Sequence, residues 1–175
     1  MDYDWSKFDI YFYIEASPDD VYQRWVCASG LESFFVQRAH FVDAMGIERE
    51  PNEPFKEGDT YSWTWWDNSV SCGKIIGVDE SKRSLTLTFL DCRVSVSVSR
   101  NNGAALIHLM QSKIPLTEYD KVRTHLNCRG GWIYFLTILK GVLESGVDVR
   151  EKDPKRTNCV EVGFHPRGQL ISPIT

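Results

Sequence analysis

The 175-residue sequence contains no Cys-x-x-Cys pair, and its five cysteines (Cys27, Cys72, Cys92, Cys128 and Cys159) are odd in number. A disulfide framework and a cysteine-based zinc site are both disfavoured. The histidines, His40, His108, His125 and His165, show neither His-x-x-x-His nor His-x-His spacing, and no acid stands at a metal-like offset, so no metal and no cofactor is assigned. Gly-x-Gly-x-x-Gly and Gly-x-x-x-x-Gly-Lys-Ser/Thr loops are missing, which leaves a phosphate-cradling site unsupported. So is Gly-x-Ser-x-Gly, the elbow of a serine nucleophile. The net charge is −4, and the longest basic run, Lys152 to Arg156, is broken by Asp153 and Pro154. Nucleic acid is therefore not the expected partner. No apolar run nears the ~18 residues of a membrane span, and MDYDWSKF lacks the basic start and apolar core of a signal peptide. A reducing cytoplasm is the expected location.

Aromatic residues, by contrast, are abundant: six Trp, seven Tyr and nine Phe make 13% of the chain. They supply large, stiff apolar surfaces that fill a core or line a pocket. Phe8, Ile10, Phe12 and Ile14 alternate with Lys7, Asp9, Tyr11 and Tyr13, a period-two strand. Ser17-Pro18-Asp19-Asp20 follows, with an N-cap residue, a proline suited to the first helical position and two acids suited to a helix start. A short helix through Val21, Tyr22, Trp25 and Val26 is predicted. Ser29-Gly30-Leu31-Glu32 reads as a second capping box, opening a helix that carries Leu31, Phe34 and Phe35.

Strands are then predicted at 39–42, 60–66 and 70–79, the last weakened by Gly73 and Gly77, which mark bulges or close approach. Leu85, Leu87 and Phe89 alternate with threonines, and Val94, Val96 and Val98 with serines. Asn101-Asn102-Gly103 is a hairpin signal, and its second strand runs over 104–113. Residues 117–126 read as a short helix or an irregular lead-in. From near Arg129 to a C-cap at Gly146 the chain is helical. At ~100° per residue, Trp132, Leu136, Leu139 and Leu143 cluster, and Phe135, Ile138 and Val142 widen the apolar arc to about 160°. Thr137, Lys140, Gly141 and Glu144 form the wetter side. An arc this wide exceeds what a simple surface helix needs.

The order is thus strand, two short helices, about six strands and one long helix, which implies an α+β fold with an antiparallel sheet covered by the last helix. One domain fits the length. The expected boundaries are 1–151 for the domain and 152–175 for a tail with room for one extra short strand at Cys159–Phe164.

This order, together with IEASPDDVYQRWV, FKEGDTYSWTW, GKIIGVDESKRSLTLTF, ALIHLMQSKIP and GGWIYFLTILKGVLESG, resembles the START-like, or SRPBCC, superfamily. Within it the chain is most similar to the family called activator of heat-shock-protein-90 ATPase homologue. The apolar-x-Ala-Ser-Pro-Glu-x-Val-Trp start is matched from Ile14 to Tyr22. The Gly-x-Ile-x-x-Ile-Asp stretch is echoed from Gly73 to Asp79. The helix pattern is matched by Gly131-Trp132, Leu139-Lys140 and Leu143-Glu144-Ser145-Gly146. The likeness spans residues 5 to 151. Tyr22 replaces the usual Trp, and Gly58-Asp59 replaces a usual Gly-Gly. The separate N-terminal domain of the eukaryotic co-chaperone has no counterpart in the sequence. The resemblance implies a helix-grip fold, a curved antiparallel sheet wrapped around a long C-terminal helix, with two short helices after the first strand. It also implies a cavity for lipid-like, polyketide-like or other apolar molecules.

On that basis the expected cavity wall comprises Phe35, Tyr61, Trp63, Trp65, Leu87, Phe89, Leu109 and Gln111 with Trp132, Phe135, Leu136 and Leu139 of the helix. For any one of these residues an ordinary core position is the plainer reading. Gln111, in register with Leu109 and Ile107, points inward by resemblance. Its amide then needs a partner, in the protein or in a ligand. Leu106 and Met110 are apolar too, so the register itself stays open. Trp66 is expected on the outer surface or in a dimer contact, and Arg93 and Glu32 at a cavity mouth or in solvent. Cys128, near the helix start, is either a thiolate favoured by the helix end or a free buried thiol. Two functions follow: non-enzymatic binding of a hydrophobic small molecule, or a chaperone-related or homodimeric interaction module with a filled core. An enzyme ranks last, because no catalytic constellation is visible.

Overall fold

A computed structural model describes residues 3–153. The element order is β1 (Lys7–Ile14), α1 (Pro18–Gln23), α2 (Ala28–Glu32), β2 (Arg38–Val42), β3 (Thr60–Thr64), β4 (Val70–Asp79), β5 (Ser84–Phe89), β6 (Cys92–Asn101), β7 (Ala104–Ser112), α3 (Glu118–Asp120), a π-helical stretch (Lys121–Leu126) and α4 (Asn127–Ser145). The strands form one seven-stranded antiparallel sheet in the order β1-β7-β6-β5-β4-β3-β2. The sheet curves around the C-terminal helix, as the α+β helix-grip expectation requires. The short strand expected at 159–164 lies outside the described residues.

Local chemistry accounts for most boundaries. Ser17 caps α1, its hydroxyl accepting from the Asp20 N–H at 3.0 Å, with Pro18 in the first turn. The β6–β7 hairpin turns on Asn102 (φ 49°) and Gly103 (φ 87°), the left-handed pair that matches strand twist. The β5–β6 hairpin makes the same kind of turn through Leu90 (φ 48°) and Asp91 (φ 62°), without glycine. The register of β4 on β5 shifts between Ile75 and Gly77, the bulge the glycines foretold.

Three expectations need correction. The second capping box does not form. α2 begins at Ala28 with Cys27 as N-cap and no side-chain cap bond. Ser29 Oγ donates instead to Asn52 Oδ1 at 2.6 Å, and Glu32 Oε1 accepts from the Ala39 N–H at 3.1 Å. Phe34 and Phe35 follow α2 rather than riding on it. Lastly, the final helix begins earlier than Arg129. α3, the π-helical stretch and α4 run on as 28 continuous residues.

That early start is held by His125, which is completely buried. Its Nδ1 lies 2.9 Å from the Trp5 carbonyl and its Nε2 2.8 Å from the Tyr3 hydroxyl. The carbonyl only accepts, so Nδ1 carries the proton and Nε2 accepts from Tyr3. The rings of Tyr3, Trp5 and Phe8 pack edge-on around the imidazole.

Candidate functional site

β7 resolves the open register. Ile107, Leu109 and Gln111 are wholly buried against the helix side of the sheet, and His108 points out. There His108 Nε2 donates to Asp9 Oδ1 at 2.6 Å and its ring stacks on Tyr11 at 4.4 Å. The helix meets this face with Trp132, Leu136, Ile138 and Leu139 buried and with Phe135, Val142 and Leu143 partly so. Its wetter side is tied to the end of β1. The Glu15 N–H donates to Glu144 Oε1 at 2.6 Å, and Lys140 Nζ donates to the Tyr13 carbonyl at 3.2 Å and to Glu144 Oε1 at 2.5 Å.

The expected wall residues are brought together in one apolar cluster, and Phe35 is its hub. Its ring lies 5.1 Å from Trp63, 5.2 Å from Trp65, 4.8 Å from Phe135 and 5.1 Å, stacked, from Trp132. Tyr61 stacks on Trp63 at 4.0 Å, and Phe89 lies 5.6 Å from Trp132. Leu87, Leu109, Leu136 and Leu139 complete the cluster. Trp65 stands just past the end of β3, with its Nε1 donating to Ser71 Oγ at 2.8 Å. The network extends further than the sequence reading had it. Trp25 of the α1–α2 region reaches Trp132 at 6.2 Å, and Tyr61 leads through Phe41 to Phe55.

The unsatisfied polar atoms in this interior are all donors. Trp132 Nε1 donates to Gln111 Oε1 at 2.8 Å. Gln111 Nε2, Trp25 Nε1 and Trp63 Nε1 are buried with no acceptor among the described residues. The Cys92 and Cys128 thiols lie close enough to Gln111 for its amide to favour their thiolates, yet neither sulfur completes a hydrogen bond to Nε2. Burial outweighs that help and pushes both thiols up, Cys128 to about 11. Cys128 is not at a helix N-terminus, since the helix runs on from Glu118, so the field that lowers a thiol pKa is absent. Burial also pushes the Tyr61 phenol up, and its hydroxyl donates to the Thr88 carbonyl at 2.5 Å. Among the described residues no cluster of three or more His, Cys, Asp or Glu could hold a metal ion.

Arg93 is exposed. Glu32 binds backbone, as described. Arg150 escaped the sequence reading. It is buried, donating to the Glu32 carbonyl at 2.9 Å, the Val36 carbonyl at 3.3 Å and both carboxylate oxygens of Asp148. Trp66, expected on the surface, is half-buried, with the Arg150 guanidinium and the Lys152 ammonium each 5.7 Å from its ring centre. A lone arginine past a helix end carries no periodic signal, so nothing in the sequence announced this contact.

A cleft of about 510 Å³ opens elsewhere, between α1, the loop before β3 and the end of β4. Its floor is Tyr22, Val26, Phe55 and Val78. Phe55, 4.7 Å from Phe41, connects this floor to the outer end of the aromatic network.

Neither a protein-family model nor a curated protein matches the chain. Solved structures do. SSP2350 from Staphylococcus saprophyticus aligns with a TM-score of 0.66 at 16% identity, covering 82% of this chain and 96% of that one. The Aha1 dimer from Colwellia psychrerythraea aligns at 0.62 and 16%, covering 80% and 97%. Ara h 8.0201 aligns at 0.58 and 13%, covering 79% and 97%. At such identities the likeness concerns the fold alone: the chain shares an α+β helix-grip fold with these structures.

Proposed function

We propose that this protein binds a hydrophobic small molecule, lipid-like or polyketide-like, between the sheet and α4, and that it does so as a carrier or sensor and not as an enzyme. One observation carries the reading: of four buried side-chain N–H donors that find no acceptor among the described residues, three, on Trp25, Trp63 and Gln111, lie inside the aromatic interior, and the fourth, on Trp66, lies outside it. Buried donors in native proteins are nearly all paired, and an orphan points to an acceptor that arrives from outside. A ligand of aromatic or alkyl body with oxygen atoms supplies acceptors of the kind these donors lack. The rings around Phe35 touch one another, so a ligand enters by displacing Phe35 or Phe135, the latter on the partly exposed flank of α4.

Native mass spectrometry of the purified protein, followed by extraction and identification of whatever is bound, tests this. A stoichiometric apolar adduct supports the reading and names the chemical class. A bare protein that gains no mass with a panel of long-chain acids, sterols and aromatic polyketides counts against it.

A second reading, a protein-interaction module, draws on the outer face of the edge strand β1, where Tyr11 and Tyr13 remain 64% and 45% exposed. The Colwellia psychrerythraea Aha1 of similar fold is a dimer, which makes a second copy of this chain the first partner to look for. Light scattering that gives a clean monomer at high concentration argues against self-association. No helix among the described residues is long and apolar enough to cross a membrane.

A further inference from the structure

The cleft beside α1 has a composition unlike the interior, and that difference indicates a separate ligand. Two of its floor residues are aromatic, Tyr22 and Phe55. Tyr22 is 3% exposed, yet its hydroxyl has no hydrogen-bond partner among the described residues. That phenol stands in the field of Glu80 and Asp79. Glu80 and Glu57 line the cleft and make no ion pair among the described residues. Glu53 also lines it but is held by Arg49 at 2.6 Å, and Asp79 is held by Lys82 at 3.0 Å. Lys56 is the single cation among the lining residues, so the cleft stays net negative.

We propose that this cleft binds an organic cation, a primary ammonium on a short apolar body. The body lies on Tyr22, Val26, Phe55 and Val78. The ammonium sits between Glu57 and Glu80, the two lining carboxylates that make no ion pair among the described residues. The unpartnered Tyr22 oxygen accepts one of its three N–H bonds. The volume, about 510 Å³, lies within the range of small-molecule sites. This site is distinct from the helix–sheet interior, and the proposal stands or falls without it.

The test is an NMR titration of ¹⁵N-labelled protein with octylammonium, octanol and octanoate, which share one apolar body and differ in head charge. Octylammonium is expected to move the amides of residues 22–26, 53–57 and 78–80, and to bind at least tenfold more tightly than octanoate. The double variant Glu57→Gln/Glu80→Gln, altered only at exposed positions, is expected to bind octylammonium about fivefold to tenfold more weakly, as the loss of two solvent-facing charge contacts implies. Octanoate binding as well as octylammonium, a double variant with unchanged affinity, or shifts confined to the amides around Trp63 and Trp132 would each overturn the proposal.

Discussion

The indole N–H of Trp132 donates to the side-chain oxygen of Gln111 across the interface of α4 and β7, at 2.8 Å and fully buried. A hydrogen bond so placed adds modestly to stability when made, but leaving one partner alone in the core carries the full desolvation penalty. Gln111→Leu should therefore destabilise the protein by about 1–3 kcal/mol, although it adds apolar bulk. Trp132→Phe should cost more, because it also leaves a void. The double variant should be less destabilised than the sum, since neither half of the broken bond is then left alone. Urea unfolding of the four proteins measures this. Strict additivity would mean that the bond contributes nothing.

Gly73 sits against Tyr61. A Cβ there would lie 2.5 Å from the Tyr61 Cζ and hydroxyl oxygen, and that ring is held by its stack on Trp63 and its bond to Thr88. Gly73→Ala should destabilise by about 1–3 kcal/mol, the range of an overpacked core. In a Tyr61→Leu background the same change should be nearly silent. Thermal melts of both pairs decide it, and an equal effect in the two backgrounds would rule out the contact.

Asp59 is buried and clamped by Arg49, whose Nε and Nη2 both donate to its carboxylate. Burial pushes the Asp59 carboxyl up, but the Arg49 bonds and the Lys56 N–H more than offset it, and the group is held below the usual carboxylate range. A depressed folded-state pKa stabilises above the unfolded value of about 4 and loses that contribution as pH falls toward the folded value. Arg49→Met should cost about 3–5 kcal/mol at pH 7, since it strands a buried charge. The gap between variant and wild type should narrow steadily from pH 5 to pH 3, because protonation neutralises the stranded group. Chemical denaturation across that range reads it directly, and a constant gap would contradict the assignment.

The cysteines should separate by accessibility. Cys72 is exposed, whereas Cys27 and Cys92 are buried and the Cys128 thiol is pushed up to about 11 by burial. Since the thiolate is the nucleophile, iodoacetamide at pH 8 should modify Cys72 well before these three, which should react only on unfolding. Peptide mapping by mass spectrometry follows each site. Native Cys128 labelling at the pace of Cys72 would refute the inert reading.

Period-two alternation, the Ser17-Pro18 cap, the Asn102-Gly103 turn and the helix arc from Trp132 to Leu143 were all legible in the sequence, because each depends on residues a few positions apart. They sufficed for the order of elements, the antiparallel sheet and the single long helix over it. Long-range contacts alone decided the rest. Leu90-Asp91 turns left-handed because β5 and β6 on either side demand it. Ser29 left its capping box for Asn52, 23 residues away. The helix starts at Glu118 because His125 is anchored by Tyr3 and Trp5, some 120 residues distant. The inward face of β7, left undecided by flanking apolar residues, is chosen by pairing with β1 and β6 and by what Trp132 can reach. The union of Phe35 with Trp63, Trp65, Trp132 and Phe135, and the acidic cleft beside Tyr22, likewise arise where separate segments meet, and no local pattern encodes such a meeting.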